Sequence, residues 1–131
     1  MKKALRHVSA SEILLLHDRI ISLYGGLPGC PDEGRIDAVI GRVLHFAIYN
    51  DISDACSLAA MYCTAIARAH AFNDGNKRTA IDAALLVARR NGLFFAYRRD
   101  MIDVVVRVAQ AEMTLVELVR YFQSLERFSS D

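Results

Sequence analysis

The chain has 131 residues, 53% of them hydrophobic and 24% charged, which provides for one globular domain with a core and argues against disorder. Its 16 Lys and Arg against 15 Asp and Glu leave a net charge of +1. That lacks the basic excess of a domain bound mainly to nucleic-acid backbone, so no direct nucleic-acid partner is expected.

The N-terminus, MKKALRHVSA, starts positively charged but has no apolar stretch of the kind a signal peptide needs. Ser9 and Glu12 then stand at capping-box spacing. They open a helix with an apolar stripe at Ile13, Leu16, Ile20 and Leu23, stopped by Gly25. Both prolines of the chain, Pro28 and Pro31, fall in the segment Gly25 to Gly34, which reads as its one long loop. Ile36, Val39, Ile40, Val43 and Leu44 repeat with helical period up to about Tyr49. Ser53 or Asp54 caps a third helix through Leu58, Met61, Tyr62, Ala65 and Ile66, ending near Ala71. Apolar on every side, it suits the buried centre of a domain.

A fourth helix runs from about Lys77 to Asn91, with Ile81, Leu85 and Ala88 on one face and Gly92 as its stop. Leu93 to Tyr97 is extended or a short connection. Asp100 caps a fifth helix through Ile102, Val105 and Val108, with a strand as the rival because Val104, Val105 and Val106 are β-branched in sequence. Thr114 and Glu117 form a second capping box before a last helix through Leu118, Tyr121, Phe122 and Leu125. The expected fold is all-α: a compact six-helix bundle over residues 1–131 as a single domain. Cys30, Cys56 and Cys63 form no CxxC pair, and Cys56 and Cys63, seven apart on one helix face, read as small buried hydrophobes, which suits a reducing, cytoplasmic setting. The longest uncharged run, Ala55 to Ala67, is too short to span a bilayer, so no membrane partner is expected.

The chemistry concentrates between the third and fourth helices, in Arg68-Ala69-His70-Ala71-Phe72-Asn73-Asp74-Gly75-Asn76-Lys77-Arg78. A helix N-terminus presents unpaired N–H groups and the positive end of the dipole. Gly75 permits positive φ there, so the turn can form an anion nest. Lys77 and Arg78 in the first helical turn oppose the dipole unless an anion sits with them, and Arg can grip phosphate bidentately. Asp74 and Asn76 offer hard oxygens to Mg²⁺, which prefers few protein ligands alongside phosphate oxygens. His70 adds an imidazole, the commonest side-chain general base. Phe72 is the expected apolar peg that pins the turn to the core. Arg68 is a further phosphate-binding charge or a surface salt bridge. Singly these are a dipole partner, a common turn and solvated charges. Together they can transfer part of a nucleotide phosphate to a hydroxyl.

His70-x-Phe72-x-Asp74-Gly75-Asn76-x-Arg78 resembles the signature motif of the Fic/Doc superfamily. Six positions fixed at roughly one in twenty each leave chance negligible. Tyr24-Gly25-Gly26-Leu27-Pro28-Gly29, Gly34-Arg35, Ile40-Gly41-Arg42-Val43, and Asn76-Lys77-Arg78-Thr79-Ala80 through Arg89-Arg90-Asn91-Gly92 are similar to its Doc (death-on-curing) toxin branch. Three departures from the wider Fic pattern stand out. Ala71 replaces a Pro, Lys77 replaces a second glycine, and Ile81 replaces a further Arg. The family's AMP transferases use that glycine and that Arg to seat the diphosphate.

The resemblance therefore implies a protein kinase rather than an AMP transferase. It would move the γ-phosphate of ATP, with Mg²⁺, to a threonine of elongation factor Tu and so arrest translation. His70 would be the general base. Asp74 and Asn76 would hold Mg²⁺, and Gly75, Asn76, Lys77, Arg78 and Arg68 would bind the nucleotide. The chain contains no Ser/Thr-x-x-x-Glu-Gly or -Asn inhibitory element of the Fic type. Inhibition would then come from a separate Phd-like antitoxin whose tail folds into a groove, with walls expected around the first and last helices. AMP transfer and a non-catalytic binding module are the alternatives.

Overall fold

The computed structural model describes residues 4–32 and 34–127. Among them are six helices: α1 (Ala10–Tyr24), α2 (Gly34–Tyr49), α3 (Ala55–Ala69), α4 (Asn76–Arg90), α5 (Met101–Ala109) and α6 (Leu115–Ser124). Two residue pairs, β1 (Phe94–Phe95) and β2 (Glu126–Arg127), form a short antiparallel ladder that pairs Phe94 with Arg127 and Phe95 with Glu126. The all-α expectation holds, and of the stretch Leu93 to Tyr97 only Phe94–Phe95 is strand, the rest being connection. No helix among the described residues is long and apolar enough to cross a membrane.

The caps account for most helix limits. Ser9 and Glu12 close a reciprocal capping box on α1, and Thr114 and Glu117 close another on α6. Asp54, not Ser53, caps α3 by accepting the Ser57 N–H. Gly25 ends α1 with φ 81° and returns its N–H to the Ile21 carbonyl. Asp100 stands at the α5 N-cap position without capping. Its carboxylate instead accepts the Tyr121 hydroxyl at 2.6 Å and pairs with Arg98.

α3 is the axis of the molecule. Ten of its fifteen residues are buried, and α2, α4, α5 and α6 all pack on it. Its closest partner is α4. Both bury mainly small residues, among them Ala59, Ala60, Ala67, Ala80, Ala83 and Ala84, which lets the two axes approach closely. α5 shows why its valine run is not a strand. Val104, Val105 and Val108 lie on one buried face at helical spacing, and that packing outweighs β propensity.

α1 differs from its expected stripe. Ile13 and Ile20 are buried, but Leu23 is 64% exposed and His17 is only 2% exposed. α1 packs mainly on α4, where Arg90 forms an ion pair with Glu12 and donates to the His7 carbonyl at 3.0 Å. The helix that carries the motif is thus clamped between the central α3 and α1.

Candidate active site

The turn between α3 and α4 holds the sequence motif. α3 ends on His70, whose backbone is left-handed at φ 49°, ψ 43°. That conformation is uncommon outside glycine and needs support. Arg35, in the first turn of α2, supplies it by donating to the otherwise orphaned carbonyls of Ala69 (3.2 Å) and His70 (3.5 Å). The His70 ring is left exposed to solvent.

Phe72 is the peg the sequence predicts, 4% exposed. Its ring lies flat on that of His17, with centroids 3.8 Å apart and planes 7° from parallel. Burial of that size stabilises by about 1.5–3 kcal/mol. Asn76 closes the turn through both ends of its amide. Oδ1 accepts the Phe72 N–H at 3.0 Å and Nδ2 donates to the Phe72 carbonyl at 2.9 Å. Asp74 is exposed and held at two points. Its carbonyl accepts from His17 Nε2 at 2.7 Å, and its carboxylate Oδ2 accepts the Leu27 N–H at 3.0 Å. Gly75 then takes φ 78° at the α4 N-cap, the positive-φ turn that glycine permits.

The loop after α1 is packed directly on this turn. Asn73 Nδ2 donates to the Pro28 carbonyl at 3.1 Å, and the Asn73 N–H reaches the Gly29 carbonyl at 3.3 Å. A Cβ on Gly26, whose φ is +116°, would meet the Asp74 carboxylate at 3.2 Å. The run of glycines after Tyr24 therefore lets the backbone lie against the carboxylate.

Of the cations, Lys77 and Arg78 occupy the first turn of α4, as predicted. The Lys77 side chain makes no hydrogen bond or ion pair among the described residues. The Arg78 guanidinium lies over the Tyr24 ring at 4.0 Å, a cation–π contact that fixes its direction. Asp82 stands one turn further along α4. Burial raises its carboxyl above the ordinary range, while Arg78 and Arg19 draw it back down.

Arg68 has another task than the phosphate binding expected of it. Its guanidinium donates to the carbonyls of Val108 (2.9 Å) and Met113 (3.2 Å), tying the end of α3 to the α5–α6 connection. The Val108 carbonyl, at the end of α5, also accepts the Ala111 N–H, and the Met113 carbonyl lies in the connection itself. The charge is spent there and not on the motif.

No three His, Cys, Asp or Glu side chains cluster among the described residues, so no all-protein metal cage is present. Mg²⁺ carried on a nucleotide does not need one, since one or two carboxylates suffice beside phosphate oxygens and water. Asp74 meets that need, with only Oδ2 engaged and the side chain exposed. Asn76 fits less well, because its amide is already committed at both ends.

One concavity reaches the end of α3 at Arg68 and Ala69, next to His70. It is an apolar groove of about 380 Å³ between α2, α3 and the start of α6, lined by Val43, Phe46, Met61, Ala65, Ala69 and Leu115. Within the motif the His70 and Asp74 side chains are exposed, while Asn76, Lys77 and Arg78 are half-buried.

The Fic/DOC family profile matches residues 7–88, which contain α1 through most of α4 and every motif residue. The chain belongs to the Fic/Doc family. It is also 46% identical over 111 residues to "Protein kinase doc" of Escherichia phage P1, a match that covers 85% of this chain and 88% of that protein. The family motif accounts for the turn but not for everything that holds it. His17, Leu27, Arg35 and Tyr24 reach the turn from α1, the loop after it and α2. Of these, His17 left one local signal: it stands four residues after Ile13 and three before Ile20, on the apolar stripe. The other three contacts are long-range and leave no local pattern.

Proposed function

We propose that this protein is a toxin of a toxin–antitoxin module: a protein kinase that transfers the γ-phosphate of ATP to a threonine of elongation factor Tu and arrests translation. One observation carries the reading. His70, Asp74, Gly75, Lys77 and Arg78 share one braced turn at the start of α4, in a chain 46% identical to a relative named as a protein kinase. Lys77, where the wider family has glycine, supports phosphate transfer over AMP transfer.

In this mechanism His70, exposed at the end of α3, accepts the proton of the target hydroxyl. Gly75 and the first N–H groups of α4 receive phosphate oxygens. Arg78, stacked on Tyr24, and Lys77 add charge against them. Asp74 would hold Mg²⁺, which when bound neutralises charge on the nucleotide phosphates. Phe72 and Asn76 keep these groups aimed by locking the turn that carries them. Arg68 has no part in it.

A Phd-like antitoxin is the proposed inhibitor, its tail docked on the apolar groove along α2, α3 and Leu115. That groove takes in Leu115 of the last helix, one of the two helices expected to wall it. The proposed setting is the cytoplasm.

The test supplies ATP labelled at the γ- or the α-phosphorus, with Mg²⁺ and elongation factor Tu. Label reaching the factor from the γ position alone is expected. Label arriving from the α position would replace the kinase with an AMP transferase.

A further inference from the structure

α1 carries a residue with no place in the family motif or in the mechanism above. His17 is 2% exposed, among the most buried positions of the chain. A buried imidazole is costly unless its polar atoms find partners, and an aromatic hydrocarbon would fill the same space without that cost. What His17 offers beyond an apolar ring is one hydrogen bond: Nε2 to the Asp74 carbonyl at 2.7 Å. A carbonyl oxygen only accepts, so Nε2 carries the proton.

The same ring touches the motif in two further ways. Its face covers Phe72 at 3.8 Å, and its edge lies 3.5 Å from where a Cβ of Gly75 would stand. One side chain thus fixes the peg, the Asp74 peptide and the positive-φ turn that follows. The Asp74 carboxylate is gripped separately by the Leu27 N–H, from the loop that α1 feeds. Both ends of Asp74 are therefore set by α1 and its continuation.

We infer that His17 is a positioning residue, which aims the Asp74 carboxylate by holding the Asp74 peptide against α1. The inference rests on the reading of Asp74 as the carboxylate that works with the nucleotide. Its consequence is local: without the Nε2–H donor, the peptide turns, the carboxylate leaves the Leu27 N–H, and the site loses its aim while the bundle stays folded.

Two variants separate the hydrogen bond from the packing. His17→Phe keeps a ring on Phe72 and lacks the donor. His17→Gln keeps an N–H donor at similar reach and lacks the ring. The Leu27 amide reports the carboxylate directly, through its hydrogen-exchange protection, and needs neither metal nor turnover.

In His17→Phe, Leu27 exchange should rise by about tenfold or more, and kcat should fall roughly 10- to 100-fold, as for other outer-shell orienting groups. KM for the target protein should hardly move, and thermal unfolding should stay cooperative. His17→Gln should restore most of both. Asp74→Ala calibrates the reporter, because it must free the Leu27 amide. If Asp74→Ala also turned over at the wild-type rate, the role given to Asp74 would fall, while the exchange data would still decide whether His17 holds it. A Leu27 amide as protected in His17→Phe as in wild type would overturn the inference. So would equal damage in the two His17 variants, in folding or in turnover, since His17 would then be core filling only.

Discussion

Asn76 spends both hydrogen-bonding groups of its amide on the backbone of a single residue, Phe72, at 3.0 and 2.9 Å. The pair bridges the turn between α3 and α4 and sets the width of the gap in which Asp74 and Gly75 are displayed. This makes Asn76 a staple first, where its residue type and place had suggested a metal ligand.

The two roles part on substitution by Asp. Asn76→Asp keeps the acceptor for the Phe72 N–H and loses the donor to the Phe72 carbonyl. The staple account predicts a loss of about 1–3 kcal/mol in urea unfolding, for a part-buried carbonyl left without its partner. It also predicts no gain in Mn²⁺ affinity. A ligand role predicts the reverse, tighter Mn²⁺ binding from the added carboxylate, readable by electron paramagnetic resonance.

Arg68 supplies a second test of structure against pattern. Its donors hold the Val108 and Met113 carbonyls, so Arg68→Met should cost about 1–3 kcal/mol of stability. Affinity for ATP, measured by calorimetry, should not change. A weakened ATP affinity at full stability would return Arg68 to the nucleotide site.

Tyr24 should matter to the nucleotide although it stands outside the motif. Its ring lies under the Arg78 guanidinium at 4.0 Å and is 64% exposed, a setting in which cation–π contacts contribute about 0.5–1 kcal/mol. Tyr24→Ala should therefore weaken ATP binding roughly two- to fivefold by freeing Arg78. Tyr24→Phe should bind as the wild type does. Equal weakening in both would point to the hydroxyl and away from the stacked ring.

Tyr62 gives the fold a pH limit. It is fully buried, and burial pushes its hydroxyl up to about 12. An unfolded tyrosine ionises near pH ~10. The folded state thus keeps a proton that the unfolded state releases, and unfolding gains with pH. The stability tied to Tyr62 is complete below pH ~10 and is lost as pH rises toward about 12. Urea midpoints across that window should fall steeply for wild type and less steeply for Tyr62→Phe. Parallel slopes would assign the alkaline limit to another group, such as Cys63, also raised by burial to about 12.

The fold was readable because its signals are local. Capping boxes at Ser9 and Thr114 and the all-round apolar α3 follow from spacing alone, and the structure reproduces them. The errors came where tertiary contacts override local chemistry. Leu23 continues the stripe in sequence, yet α1 ends at the rim and leaves it outside, while the more polar His17 turns inward to a carbonyl 57 positions away. Asp100 has a capping residue's identity and is claimed by Tyr121 instead. Within the site, the motif located the turn. It did not show that Arg68 faces α5, that Asn76 faces Phe72, or that Arg35 braces the His70 backbone. Those are properties of neighbours brought in by folding.

The most direct test of the catalytic account is the intact mass of elongation factor Tu after incubation with this protein, Mg²⁺ and ATP, in parallel with His70→Ala. The account predicts a single phosphate-sized increment with wild type. It predicts a rate roughly 10²–10⁴ lower for a His70→Ala protein with unchanged thermal unfolding. An adenylate-sized increment, or a phosphate increment formed equally fast by a folded His70→Ala variant, would contradict it.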